Sequence, residues 1–264
     1  MNQLNLMEFE KEGVVDKVNV LDHGFVKLVD MMGDDYSILR AARVSTGSDA
    51  VKGDDKDRAL IRYLYRNDHI SPFSFVSFHF YVKCPIFVAR QWFRHRTFDF
   101  NEVSARYKEL KWEVFYPDSW RKQSSVNKQG SSEKVKQQFE FNEMVENAYR
   151  ASEIAYRTMI ELGEVSREQA RTVMPVGQYT EFYAHINLRN LFHFLELRLD
   201  PHAQYEIRVY AKAILNILED IPSIRWSVEV FKDYYNLNQV VKGLKESYKN
   251  DVKGLTERLN SSMV

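Results

Sequence analysis

Four arginines and a histidine fall within RQWFRHRTFDFNEVSARY, Arg90 to Tyr107, interleaved with aromatic residues and the acids Asp99 and Glu102. Guanidinium groups this dense repel one another unless something anionic lies between them. Arginine also carries a planar fork of donors that pairs bidentately with phosphate or carboxylate oxygens. The stretch therefore suits either an anion grip or pairing with acids such as Glu102 or Asp99, and the residue types alone leave both open. Helical spacing would put Arg90 and Arg94 on one face, with Gln91 beside Arg94 on the next. Ile86, Phe87, Val88, Trp92 and Phe93 are apolar, so the charges belong at the wall of a cleft.

His95 lies between Arg94 and Arg96, and cations on both sides disfavour its charged form. Neutral, it could donate a hydrogen bond, stack on a flat ring, or be satisfied within the fold. Ser104 lacks any visible base or oxyanion pattern and reads as a hydrogen-bonding group. The seven histidines show no ligand spacing with a matching carboxylate, so no metal is expected. A second polar group lies in HINLRNLFHFLELRLDPHAQ, 185–204. A helix from about 187 would space Arg189, His193 and Glu196 at i, i+3/i+4. Arg198 would end it, where a cation is favoured by the macrodipole; capping and chemistry are both open to it.

The 10 glycines include no two separated by a single residue, so there is neither a GxGxxG fingerprint nor a P-loop. HExxH and GxSxG are absent as well. Any nucleotide must be held by side chains.

The elements that position these groups follow from periodicity. Short β-type runs over 14–32 break at His23-Gly24 and Gly33. Residues 35–43 read as a helix capped by Asp34, and 54–67 as a second helix with acids in its first turn. Phe73 and Phe75, then Phe78, Phe80 and Val82 after a slip at Val76, alternate with polar residues as a strand does. Pro85 should stop that strand and open the next helix at N1. Residues 117–134 read as a polar surface loop, and 135–162 as a long amphipathic helix ending at Gly163. SREQ at 166–169 fits a capping box. A strand at GQYTEFYAHI precedes the 187–198 helix, another helix follows Pro201, and a charged helical tail runs on from about 226. The expected class is α+β: an antiparallel sheet flanked by helices, with a helical C-terminal third, as one domain over 1–264.

Lys+Arg and Asp+Glu both number 37 in 264 residues. Bulk charge therefore gives no reason to expect nucleic acid or membrane as a partner. The single cysteine, Cys84, excludes a disulfide framework within the chain and reads as a small buried hydrophobe. The start has no signal-peptide pattern, and no apolar run approaches the ~20 residues that span a bilayer. A cytoplasmic location is expected.

Six segments, in order, resemble flavin-dependent thymidylate synthases: RAARVS at 40–45, HISPF at 69–73, CPIFVARQWFRHR at 84–96, NEVSARY at 101–107, ARTVMP at 170–175 and NLRNLFHFLELRLDPHAQYEI at 187–207. Among them, RHRTFDFNEVS matches that family's RHR-x7-S signature. The likeness covers about residues 20–220. It implies reductive methylation of dUMP to dTMP, with methylenetetrahydrofolate giving the carbon, NADPH the electrons and FAD relaying the hydride. It also implies a homotetramer whose active sites are shared between subunits. By the resemblance, Ser71, Arg94, His95, Arg96, Glu102, Asn187, Leu188, Arg189 and His193 face FAD. Gln91, Trp92, Phe93, Arg94, Glu102, Val103, Ser104, Ala105, Arg106, Arg171 and Arg198 face dUMP. Arg198 matches the family's catalytic arginine, which favours ionisation of the uracil at N3; a guanidinium can stabilise that anion without titrating. Two positions vary in the family: His193 is asparagine in some members, and Ser71 is often threonine. The loop at 117–134 and the tail fall outside the signature. A different class of function, a non-catalytic nucleotide- or RNA-binding module built on the arginine–aromatic patch, is disfavoured by the zero net charge.

Overall fold

The computed structural model describes residues 17–47, 52–125 and 130–261. The chain runs β1 (Lys17–Val20), β2 (Gly24–Met32), α1 (Asp35–Arg43), α2 (Asp54–Arg66), β3 (Ser77–Pro85), α3 (Ile86–Trp92), β4 (Asp99–Glu102), β5 (Arg121–Gln123), β6 (Ser131–Lys134), α4 (Gln138–Glu161), α5 (Arg167–Ala170), β7 (Tyr179–Asn187), α6 (Leu188–Arg198), α7 (Tyr205–Glu219) and α8 (Arg225–Ser261). Five strands form an antiparallel sheet in the order β1-β2-β3-β7-β4, and β5 pairs with β6 apart from it. The class is α+β as the periodicity implies, and the last third is helical.

One sheet face is core. Phe78, Phe80 and Val82 on β3 stand opposite Ile186, Ala184 and Phe182 on β7, and all six are buried. Ile207, Tyr210 and Ile214 of α7 and Phe194 of α6 close over them. The intervening residues form the other face, where Tyr81 stacks on Tyr183 and His79 meets His185. Between β1 and β2 the backbone approaches so closely that a Cβ on Gly24 would lie 1.9 Å from the Tyr210 hydroxyl and 2.7 Å from the Val20 carbonyl.

Asp34 caps α1, its carboxylate accepting from the Ser37 N–H at 2.6 Å. Gly163, at φ +67, follows the end of α4. Five expectations need correction. Phe73 and Phe75 lie in a 3-10 turn at Ser71–Phe75, and the strand begins only after the Val76 slip. Pro85 is the last strand residue and N-cap of α3, not its N1. The helix opened there stops at Trp92, so Arg90 and Arg94 do not share a helical face. The polar segment 117–134 carries the β5–β6 hairpin, although its residues 126–129 lie outside the described residues. Ser166 caps α5 without a side-chain hydrogen bond, so SREQ forms no capping box. Residues 14–16 of the first β-type run, and the start without a signal-peptide pattern, also lie outside the described residues.

Candidate functional site

Two strand–helix joints create the central geometry. β3 passes directly into α3, and β7 directly into α6. The strands are antiparallel, with Ser77 opposite Asn187 and Pro85 opposite Tyr179. The two helices therefore leave from opposite ends of one strand pair. Nine strand residues span ~30 Å, while 7 residues of α3 and 11 of α6 together cover ~27 Å. Their C-terminal ends must meet over the sheet. Trp92, at 0% exposure, stacks on Phe194 at 5.1 Å and fixes that meeting.

Arg198, the last residue of α6, accordingly reaches the turn that follows α3. Its Nε donates to His95 Nε2 at 2.8 Å, and its Nη2 to the Gln91 carbonyl at 3.4 Å. The turn exists because Phe93 packs on Phe100 and Phe182, and Phe98 on Phe194, which pulls the chain off the helix axis into β4. Arg94 and Arg96 are left exposed on that turn. Neither makes a side-chain hydrogen bond or ion pair among the described residues, and the same holds for Arg90 and Arg189. The acids that could have paired with them are engaged elsewhere: Asp99 meets His185 at 3.2 Å, and Glu102 accepts from Thr180 Oγ1 at 2.7 Å.

His95 is held neutral. Burial first, then Arg198 and His193, push its pKa from 6.5 down to about 4. A guanidinium N–H can only donate, so Nε2 is the acceptor and the ring proton sits on Nδ1. The ring also meets Phe194 edge-on at 4.8 Å. Burial pulls the Arg198 guanidinium below its ordinary range. The pair thus presents one half-buried cation braced by a neutral imidazole.

A cleft of about 490 Å³ lies on another flank of α3, lined among others by Arg90, Phe93, Glu102, Val103, Ala105 and Arg171. Next to it, Ser104 Oγ accepts from the Arg106 N–H at 3.3 Å, while Arg106 pairs loosely with Glu168 at 3.4 Å. Arg198 and Gln91 do not line this cleft. The residues assigned to dUMP by resemblance therefore fall into two groups, one around the cleft and one around Arg198. Those assigned to FAD also divide. Asn187, Leu188, Arg189 and His193 sit on the N-terminal half of α6 or its cap, and Arg189 lies ~14 Å along the helix from Arg198. Asn187 Oδ1 caps α6 through the Asn190 N–H at 3.0 Å. Ser71 is exposed on the 3-10 turn. Trp92 and Leu188 are both 0% exposed, backbone included, and the Leu188 N–H already donates to the Val76 carbonyl at 2.8 Å, so neither presents an atom to a ligand.

Arg90, which the sequence puts among charges at a cleft wall without assigning it a ligand, lines the cleft. Two residues escape sequence reasoning: Gln204 accepts from the Gln91 amide, and Glu206 accepts from Gln204. Nothing local signals either.

The model of the family described as thymidylate synthase complementing protein matches residues 27–222. The chain is similar to the flavin-dependent thymidylate synthase of Thermus thermophilus, 50% identical over 210 residues, covering 80% of this chain and 77% of the relative. The enzyme of the same name from Thermosipho africanus is 45% identical over 228 residues, covering 85% and 97%. Among solved structures, the UMP/dUMP methylase PolB of Streptomyces cacaoi, bound with 5-Br dUMP, superposes with a TM-score of 0.74 at 33% identity, over 82% of this chain and 97% of that one.

Proposed function

The chain belongs to the family of the thymidylate synthase complementing proteins, and on that premise we propose that it is a flavin-dependent enzyme that reductively methylates dUMP to dTMP. Relatives at 45–50% identity carry the name flavin-dependent thymidylate synthase, and the structural neighbour methylates UMP and dUMP. The observation that carries the reading is Arg198 braced against His95, beside a turn whose arginines have no acid partner.

Unpaired guanidiniums fit a pyrophosphate, since their forks match its oxygens and the ligand relieves their repulsion. Arg94, Arg96 and Arg189 would hold the FAD phosphates, with Ser71, His95, Glu102, Asn187 and His193 supplying polar contacts, while Leu188 lies in the core. Bound FAD supplies the hydride relay that no side chain can perform. Gln91, Phe93, Arg94, Glu102 to Arg106 and Arg171 would hold dUMP, while Trp92 lies in the core. Arg198 acts on the pyrimidine. Its half-buried charge faces little competing water, which strengthens its pull on an anion developing at N3. His95, neutral and accepting from Nε, and the Gln91 carbonyl, accepting from Nη2, leave Nη1 to the substrate.

The carbon donor in this reading is methylenetetrahydrofolate, and the reductant is NADPH. The division of both ligand sets into separated groups supports a homotetramer in which one subunit completes its neighbour's site. The lone cysteine is free and buried, which fits a cytoplasmic enzyme. No helix among the described residues is long and apolar enough to cross a membrane, and the balanced charge supports no nucleic-acid partner.

A visible spectrum of the purified protein, followed by dTMP assay, tests the reading. Flavin absorbance and dUMP-dependent turnover are expected, and Arg198→Ala should keep the flavin while losing at least ~100-fold in turnover. A colourless protein that FAD cannot reconstitute overturns the proposal. Normal turnover in the variant removes Arg198 from the chemistry.

A further inference from the structure

Beside Arg198 runs a chain of side-chain amides with a fixed direction. Glu206, at 4% exposure, accepts at one oxygen from Arg121 Nη2 at 2.6 Å and at the other from Gln204 Nε2 at 2.8 Å. Gln204 in turn accepts, through Oε1, from the Gln91 side-chain amide. A carboxylate paired with a guanidinium only accepts. Gln204 must therefore turn its NH2 toward Glu206 and its oxygen toward Gln91. Gln91 must then turn its own NH2 toward Gln204, so its oxygen is the atom left over. That oxygen has no partner among the described residues, and the Gln91 backbone carbonyl already holds Arg198.

An acceptor at this place selects for a donor. The dUMP molecule offers two, N3–H and the 3′-hydroxyl, since its phosphate is anionic. An acceptor on N3–H would oppose the ionisation that Arg198 favours. We propose, resting on the dUMP reading above, that Glu206 and Gln204 are positioning residues that turn the Gln91 amide so that its oxygen accepts the 3′-hydroxyl of the substrate. The β5–β6 hairpin, which lies outside the signature segments, enters the site through Arg121: its guanidinium anchors Glu206 and lies over the Tyr205 ring at 5.0 Å.

The test compares binding of dUMP and 2′,3′-dideoxyuridine 5′-monophosphate to flavin-loaded protein by calorimetry. Wild type should prefer dUMP by about three- to tenfold, the worth of one hydrogen bond. Gln204 is exposed, so Gln204→Leu should fold; it frees the Gln91 amide to flip, and the preference should fall toward one. In the double variant Gln204→Glu/Glu206→Gln, the carboxylate at 204 accepts from Gln91. The amide at 206 donates to that carboxylate and accepts from Arg121. The direction of the chain is restored, and so should be the preference, an outcome that a merely structural role does not require. Gln204→Leu with an undiminished preference overturns the inference, as does a folded double variant without recovery. Wild type that binds both nucleotides equally overturns it while leaving the dUMP reading intact. Wild type that binds neither overturns both.

Discussion

Acid should expose two buried groups that pull stability in opposite directions. His95 titrates at about 4 because burial, Arg198 and His193 all oppose its charged form. Between 4 and 6.5 the unfolded chain binds a proton that the folded chain refuses, so this histidine weakens the fold as pH falls through that window. The gap corresponds to roughly 3 kcal/mol, and screening of a partly exposed ring reduces it to about 1–2 kcal/mol. Asp35 works the other way. It receives the Trp226 N–H at 2.8 Å and the Ser227 hydroxyl at 2.5 Å at the start of α8. Burial outweighs these donors and pushes its pKa from 3.8 up to about 6. The folded chain then takes a proton before the unfolded one does, so Asp35 strengthens the fold by roughly 3 kcal/mol as pH falls from 6 to 3.8. The two largely offset each other in the wild type, and single variants separate them. Relative to wild type, His95→Gln should gain about 1–2 kcal/mol on going from pH 6.5 to 4, and Asp35→Asn should lose about 2–3 kcal/mol over the same interval. Urea unfolding at closely spaced pH values reads both differences, and the His95 Cε1–H resonance reads its titration directly. A His95 midpoint near 6.5 in the folded protein, or a His95→Gln profile parallel to wild type, refutes the reasoning.

Three further perturbations follow from the geometry. Ser104→Ala removes the hydroxyl beside Arg106 and should weaken dUMP binding about tenfold, the upper range for a lost hydrogen bond; dTMP should still form, and complete loss of turnover with dUMP still bound would make the serine a nucleophile instead. Arg43→Met leaves Asp57, which is 0% exposed, without its cation and with the Lys52 N–H still donating to it at 3.3 Å. It should cost about 3–5 kcal/mol in a denaturation experiment, with Arg43→Met/Asp57→Leu recovering much of the loss; equal stability in the single variant would show that Asp57 needs no cation. Arg171→Ala and Arg198→Ala, placed in the two separate groups, should each be inactive alone but regain turnover when co-expressed as mixed oligomers. Absence of any recovery in mixed oligomers would argue that one chain supplies both groups to the same site.

Local chemistry made much of this fold legible. The Asp34 cap, the Gly163 stop and the 3.6-residue periodicity of α4, α6 and α7 are all decided within a few residues. What escaped was decided from afar. No glycine or proline ends α3; Phe93 and Phe98 do, by docking on Phe182 and Phe194, which are distant in sequence. The β5–β6 hairpin hides because its residues other than half-buried Arg121 are exposed and lack the alternation that marks a half-buried strand. Residue types and ordered motifs pointed to Arg198 and His95, but not to the contact between them, which spans 103 positions. The Gln91–Gln204–Glu206 relay is invisible for the same reason.

The same distant packing decides where the acids of the arginine-rich stretch turn. Asp99 and Glu102 were the obvious partners for its guanidiniums, yet both face β7, one meeting His185 and the other Thr180. β4 is short and pairs with β7 in a fixed register, Asp99 opposite His185 and Glu102 opposite Phe182. That register turns the acids away from the Arg94–Arg96 turn. Arg94 and Arg96 then have no acid partner among the described residues, and because they are exposed, water and salt screen their mutual repulsion. An anion bound to them in the folded state alone would stabilise that state by mass action. Glycine loops offer phosphates backbone N–H groups at little electrostatic cost. This chain instead holds Arg94 and Arg96 apart from Asp99 and Glu102, which strand register commits to His185 and Thr180.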